Sequence, residues 1–386
     1  MDKWPEGWTR GGRDRPPQPR TSVLPPAEPD ASYADPYADP YADPYPAPHP
    51  DRPYDDRRAA PPRRAWYRRR RRWGRRLLII ALALLVALVA VYFYLDSRLH
   101  RVDVLGDYAG RPGDTPGTNW LIVGSDSRAG LSKAQRRKLH TGRAAGKRTD
   151  TMMLMHMGSG GTSLVSLPRD SYVPIPGHGA NKLNAAYAFG GPRLLLRTVE
   201  GATGVHVDHY AEIGLGGFAG MVDAVGGVNM CIKEPVKDVD AGLNLKAGCQ
   251  TLNGGEALGY VRSRHAFAEG DLARVQHQRQ VLAALVSKAT SPGTIINPFR
   301  IWPLALHATD NFEVDKGDHL YNLMGFAWGM RGVTKGDAVT TTVPIAGFGS
   351  SPAAGSYIRW DTAKAGLLFS AIKNDRPIPK SVVKKI

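Results

Sequence analysis

Residues 119–128 read NWLIVGSDSR, and residues 148–157 read RTDTMMLMHM. Each joins a short apolar run to a charged end. Trp120 to Val123 run into a glycine and then into Asp126 and Arg128, while Arg148 and Asp150 stand at the head of the apolar run 151–157. A third segment, TSLVSLPRDSYVPI, carries its apolar run into Arg169 and Asp170. Short apolar runs bounded by glycine, proline or charge read as buried strands. Helical patterns alternate with them. NKLNAAYAFGGPRLLLRTVEGATG reads as helices, VDHYAEIGL as a strand, GGFAGMVDAVGG as a helix closed by glycines and VNMCI as a short strand. GDLARVQHQRQVLAALVSKA is a helix with Asp271 near its N-cap. Further on, GDHLYNLMGFAWGM reads as a helix and AVTTTVP as a strand. This alternation predicts an α/β layered domain, a central mixed sheet flanked by helices, in which ligands gather at strand ends. No long Pro/Gly linker follows residue 116, so residues 116–375 are read as one domain and 376–386 as a tail.

Upstream, LLIIALALLVALVAVYFYL at 77–95 carries neither charge nor proline. At ~1.5 Å per residue such a helix is about 28 Å long, close to the hydrocarbon core of a bilayer. One transmembrane helix is therefore expected over 73–96, with 97–115 as a linker. A cleaved signal peptide fits poorly, because the run is long, starts late and lacks a small-residue cleavage site. Arginines from Arg63 to Arg76 crowd its N-terminal flank, and Asp96 opens the other. The positive-inside rule then places the N-terminus in the cytoplasm and the large domain outside. Residues 1–72 contain YADPYADPYADPY and almost no large aliphatic side chains, a composition expected to stay disordered. Such a tail serves either as a solubilising segment or as a docking or phosphorylation arm through Tyr33, Tyr37, Tyr41 and Tyr45.

The formal net charge is +16, of which residues 1–76 supply +6 (17 basic, 11 acidic) and the remainder +10. An excess of this size points to an anionic partner. A basic domain outside the membrane faces away from the genome, so no nucleic acid is expected; anionic cell-surface material or a phosphorylated lipid fits better. The same topology bears on the two cysteines, Cys231 and Cys249. In an oxidising compartment they are expected to form a disulfide, with free buried thiols as the alternative. No histidine pair stands near them to complete a zinc site.

Asp126 and Asp150 each lie beside the end of an apolar strand and converge if those strands are neighbours. Carboxylates without nearby His or Cys suit Mg²⁺ or Mn²⁺. Arg128, Arg148, Arg169, Arg262, Arg264 and Arg274 are candidates to surround them, since guanidinium forks match phosphate oxygens. Taken one at a time, each arginine reads equally as half of a solvated ion pair. On the 271–290 helix, Asp271, Arg274 and Gln278 share a face beside an apolar stripe of Leu272, Val275, Leu282 and Val286. No GxSxG, GxxxxGK[ST] or HExxH pattern occurs. His206 and His209 would point to opposite faces of a strand. His265 and His277 lie near the arginines and are read as structural before catalytic.

These segments resemble the LytR-CpsA-Psr family of bacterial cell-wall proteins. The resemblance rests on LIVGSDSR, RTDTMMLMHM, SLPRDSYVPIP, KLNAAYAFGG, GGFAGMVDAVGGV and LNGGEALGYVRSRHAFAEGDLARVQHQRQVL, in family order over about 117–287. A cytoplasmic tail and one membrane helix are also the family's architecture, and the proline-rich tail, the Cys231/Cys249 pair and the Ala/Gly/Arg-rich composition look like its actinobacterial branch. The resemblance implies a phosphotransferase that moves a glycopolymer (teichoic acid, capsule or arabinogalactan) from a polyprenyl-diphosphate carrier onto peptidoglycan. By motif, Asp126 and Asp150 would hold Mg²⁺ against the diphosphate. Arg128, Arg148, Arg169, Arg262, Arg264 and Arg274 would bind its oxygens, with Gln278 in support, and Asp271 would activate or orient the acceptor hydroxyl. The polyprenyl tail would lie in an apolar channel, touching the Leu194–Leu196 helix. His277 stands where the family often has arginine. Three other readings stay open: a diphosphatase using water as acceptor, a non-catalytic polymer binder, and a regulator.

Overall fold

Period-two alternation places Leu121 and Val123 on one face of a strand and Trp120 and Ile122 on the other. The computed structural model, which describes residues 63–127, 132–139, 149–239, 241–263 and 271–383, builds its main sheet on that alternation. The chain divides into two units, Met1–Arg71 and Arg72–Ile386, and the sheet with its helices belongs to the second. Residues 1–62 of the expected tail lie outside the described residues.

Helix α1 (Arg63–Ser97) leads into β1 (His100–Val102), β2 (Thr118–Ser125) and the short α2 (Lys133–Lys138). Then come β3 (Thr149–Gly158), β4 (Gly161–Leu167), a hairpin of β5 (Tyr172–Ile175) and β6 (Gly179–Lys182), α3 (Leu183–Thr203), β7 (His209–Ile213) and α4 (Leu215–Ala224). A small two-hairpin region follows, β8 (Val228–Ile232), β9 (Val236–Asp238), β10 (Leu243–Leu245) and β11 (Gly248–Leu252), and leads into α5 (Gly254–Arg262) and α6 (Asp271–Ala289). The chain closes with α7 (Pro292–Ile295), α8 (Pro298–Asn311), β12 (Phe312–Asp315), α9 (Leu320–Lys335), β13 (Val339–Thr342), the β14–β15 hairpin (Ile345–Ser351, Gly355–Trp360) and α10 (Thr362–Lys373).

The central sheet has seven strands in the order β1-β12-β7-β2-β3-β4-β13. Parallel pairs (β1–β12, β7–β2, β4–β13) mix with antiparallel ones (β12–β7, β2–β3, β3–β4), as the sequence led us to expect. One face buries Leu121, Val123, Met152, Leu154, Val165 and Leu167 under α3 and α10. The other buries Trp120, Ile122, Met153, Met155 and Leu164 under α9, with Leu282 and Val286 of α6 packed alongside. A third core joins α4, α5 and the β8–β11 region to the far side of α6 through Val281 and Leu285. Helix α6 is thus wedged between two cores.

Two expected boundaries differ. Residues 97–115, read as a linker, supply β1 to the main sheet, and Val104 is fully buried. His100–Val102 holds one apolar residue, so its strand comes from pairing with β12 and not from its own pattern. Asp315 then fastens the segment by accepting the Val104 and Leu105 N–H groups at 2.9 and 2.8 Å. At the other end, Val382 of the expected tail packs into the α3–α10 core. Within α1, Trp73–Ser97 is long and apolar enough to cross a membrane; its most apolar stretch is unburied, while Leu95 near its end is buried against the domain. Helix α3 is one expected stretch bent in two: Gly191 has φ +65°, which favours glycine, and Pro192 restarts the helix after it. Cys231 and Cys249 sit opposite each other on β8 and β11 and are disulfide-bonded.

Candidate functional site

A cavity of about 450 Å³ opens where β2, β3 and β7 end and α4, α5 and α6 pass over them. Ile122 and Met153 form its floor, and Ile213, Phe218, Leu258 and Leu282 form apolar walls. Its polar groups are Ser125, Asp126, Asp150, Asp238, Arg262 and Gln278. Such a mixture, mostly apolar with a few converging polar groups, is the usual composition of a ligand pocket.

Asp126 and Asp150 do converge, because β2 and β3 are antiparallel neighbours. A bulge sharpens this. Gly124 pairs with Thr151 and Ser125 pairs with Thr149, which leaves Asp150 as the extra residue. A regular strand would send Asp150 and Thr151 to opposite faces; at the bulge both line the cavity. Gly124 permits this close approach, since a Cβ there would lie 3.1 Å from the Thr151 Cβ. Arg169, from the turn after β4, donates from Nη1 to Asp150 Oδ1 at 2.7 Å. It also pairs with Asp170 at 3.4 Å, and Asp170 with Lys182 at 3.1 Å. Arg169 therefore reaches the cavity through Asp150.

Arg262 occupies the last turn of α5, a helix started by a capping box between Asn253 and Glu256. That end is anchored by Asp238, a residue that sequence reasoning did not select. Asp238 accepts from Ser263 Oγ at 2.9 Å and from the Ala241 N–H at 3.0 Å, and it lines the cavity itself. Gln278 and Leu282 of α6, one turn apart, complete the wall. Arg128, Arg148 and Arg264 lie outside the described residues. The backbones of Asp271 and Arg274 lie in the first turns of α6, but their side chains are outside the described residues.

Ser125 is the second residue missed from sequence. It is 2% exposed, lines the cavity, and its hydroxyl has no hydrogen-bond partner among the described residues. A buried polar atom without a partner costs free energy and marks a place for a ligand atom or water. Two histidine questions are settled by packing. His277 is 9% exposed and lies against the Tyr260 ring at 4.5 Å, so it is a core residue. His209 pairs with Asp318, and His206 donates from Nδ1 to Pro112 O, 2.9 Å away.

The expected contact of the channel with Leu194–Leu196 does not occur. Leu195 and Leu196 are fully buried in the core on the opposite face of the sheet. Also on that face is Glu212, 1% exposed, which accepts from the hydroxyls of Tyr187 (2.8 Å) and Tyr210 (2.7 Å). Burial, and then the Glu212 charge, push both phenols well above their usual range.

Comparison with known proteins places the family and the fold. Residues 105–372 match the LytR_cpsA_psr family. The probable cell wall biosynthesis protein LcpB of Corynebacterium glutamicum is 52% identical over 75% of this chain and 68% of its own length. Among solved structures, a LytR-Csp2A-Psr enzyme from Actinomyces oris has the same fold, with a TM-score of 0.55 and 24% identity over 72% of this chain and 96% of that one. The structure of TagT bound to LIIa-WTA gives a TM-score of 0.50 and 25% identity, with 72% and 96% coverage.

Proposed function

Because this chain belongs to the LytR_cpsA_psr family, we propose that it attaches a glycopolymer from a polyprenyl-diphosphate carrier to peptidoglycan by phosphoryl transfer. The observation that carries this reading is the cavity itself. Two carboxylates from adjacent strand ends, with Arg262 and the Asp150-bound Arg169, meet a largely apolar chamber. A diphosphate on a hydrocarbon chain has that same division into charge and grease. The relative bound to LIIa-WTA supports a glycopolymer as the cargo.

Asp126 and Asp150 fit a hard divalent cation, Mg²⁺ or Mn²⁺. They are oxygen donors on one cavity, and the Ser125 hydroxyl beside them lacks a partner among the described residues. No cluster of three or more metal-ligating side chains exists among the described residues. Two carboxylates are what Mg²⁺ commonly takes from a protein when substrate phosphates supply the rest. When bound, such an ion would neutralise the charge on the diphosphate. Arg262 and Arg169, with Arg128, Arg148, Arg264 and Arg274, hold its oxygens; Gln278 orients them, and the apolar walls take the polyprenyl chain. The acceptor hydroxyl oxygen attacks the phosphorus nearest the polymer. The bond to the polyprenyl phosphate breaks, that phosphate leaves, and Asp271 is assigned the hydroxyl proton. Catalysis of this type needs positioning and charge neutralisation more than a covalent nucleophile.

The test incubates the full chain in detergent with a polyprenyl-diphosphate oligosaccharide, with and without Mg²⁺ and peptidoglycan. Mass spectrometry follows polyprenyl phosphate and the acceptor–glycan adduct. Metal-dependent release of both is expected. Polyprenyl phosphate with no adduct would identify water as the acceptor, and intact bound lipid would mean a binding protein.

A further inference from the structure

The last turn of α1 is fastened to the domain at two places. Tyr94 stacks on Trp302 of α8, with ring centroids 6.3 Å apart and planes 8° from parallel. Asp96 accepts the Leu320 N–H at 2.7 Å and lies 3.1 Å from the ring of His319, the residue that caps α9. Arg98 adds two hydrogen bonds to Asp310 of α8. The outer end of the apolar helix is therefore held between the middle of α8 and the start of α9.

Both of those helices are greasy on their exposed sides. On α9, Tyr321 (58% exposed), Met324 (63%) and Trp328 (72%) recur at helical spacing, opposite the buried Leu323, Phe326 and Met330. No charge interrupts that stripe until Arg331, whose guanidinium lies over the Trp328 ring at 5.0 Å. On the α7–α8 side, Ile296 (80%) and Phe299 (87%) are exposed beside Trp302. Isolated exposed apolar residues are ordinary, but a helix apolar on both faces at a domain surface calls for a partner.

We propose that this face docks the domain onto the outer surface of the bilayer that α1 crosses; the inference rests on the reading of α1 as a membrane span. The occupant follows from continuity. The stripe occupies the half of α9 nearest the end of α1, where a membrane-spanning helix leaves the lipid. Its content is also that of a membrane interface: Trp and Tyr place an apolar ring in lipid and a polar edge in water, and the cation beside Trp328 suits a lipid phosphate. Docked in this way, the domain stays close to the plane that holds a lipid-linked substrate, not free on a tether.

The test uses the full chain in nanodiscs of phosphatidylcholine and phosphatidylglycerol, one copy per disc. A nitroxide is placed in turn at Met324→Cys, at Leu84→Cys within α1, and at Lys373→Cys on α10, and its accessibility to oxygen and to a water-soluble nickel complex is compared. The ratio at Met324 is expected to lie between those at Leu84 and Lys373, well above the latter. Trp328→Asp in the Met324→Cys background should return it toward the Lys373 value. A Met324 site as nickel-accessible as Lys373, with Leu84 still lipid-buried, overturns the docking surface and leaves the membrane span intact. A nickel-accessible Leu84 overturns the span itself. Protection at Met324 that requires two copies per disc overturns lipid docking in favour of a second chain.

Discussion

The two faces of the central sheet are made by the same strands, yet two of their buried polar groups, Glu212 and Ser125, have opposite surroundings. On the α3–α10 face, Glu212 is sealed in and accepts hydrogen bonds from two tyrosines of its own fold. On the α4–α6 face, Ser125 is as deeply buried but has no partner among the described residues, and Asp126 and Asp150 look into a cavity. A buried polar group that is hydrogen-bonded within the core is closed to a ligand, whereas one that lines a cavity is open to it. On the proposed function, the closed face stabilises and the open face carries the chemistry.

The sharpest way to break this contrast is to remove one group from each side. Asp150→Ala should lower transfer by on the order of 10² to 10³-fold, the usual loss when one transition-state charge contact goes. Its stability should change by less than about 1 kcal/mol, because the Arg169 pair is partly exposed. Glu212→Ala should do the reverse. Two buried tyrosine hydroxyls lose their acceptor, costing about 3 kcal/mol in denaturant unfolding, while turnover of the folded fraction holds. If Glu212→Ala instead abolished transfer in a stable protein, the division of labour would fail.

The disulfide lies between these extremes. It closes the segment that carries Asp238 and Ala241, so Cys231→Ser with Cys249→Ser should cost about 3 kcal/mol of stability. Turnover should also fall, as the anchor of the α5 end loosens. Ser125→Ala is subtler. With no partner to lose, it should leave the melting temperature unchanged and weaken diphosphate binding about fivefold, near 1 kcal/mol.

The smallest expected effect is one of pH and belongs to the closed side. Asp375 takes the Gly160 N–H at 2.8 Å, the Ser159 hydroxyl at 2.7 Å and the Ser159 N–H at 2.8 Å, and pairs with His156 at 3.1 Å. These contacts hold its carboxyl well below the usual range. A depressed carboxyl stabilises above its unfolded pKa, near ~4, and that contribution fades as pH falls below it. Asp375→Asn should flatten the acid limb of a stability–pH curve without altering metal dependence.

Much of this was legible before any coordinates. Apolar runs such as Trp120–Val123 and 151–157 read as strands because they are short and bounded by glycine or charge. Whether those strands are neighbours was not legible; their antiparallel pairing in the fold is what brings Asp126 and Asp150 together. What stayed hidden depends on contacts distant in sequence. His100–Val102 becomes a strand only through β12. The bulge that turns Asp150 inward leaves no mark in RTDTMML. Asp238 looked like one more loop acid in KEPVKDVDAG, and its role depends on Ser263, 25 residues away. The Leu194–Leu196 helix looked suited to a lipid because it is apolar, but apolarity does not say which face of a sheet a helix covers.

The most direct test of the open face is calorimetric. Farnesyl diphosphate would be titrated into the full chain in detergent, with Mg²⁺ and with chelator, for the wild type and for Asp126→Ala with Asp150→Ala. Binding should require the ion in the wild type and weaken at least about tenfold, some 1.4 kcal/mol, in the double variant. Equal affinity in chelator, or in the protein lacking both carboxylates, would contradict the account.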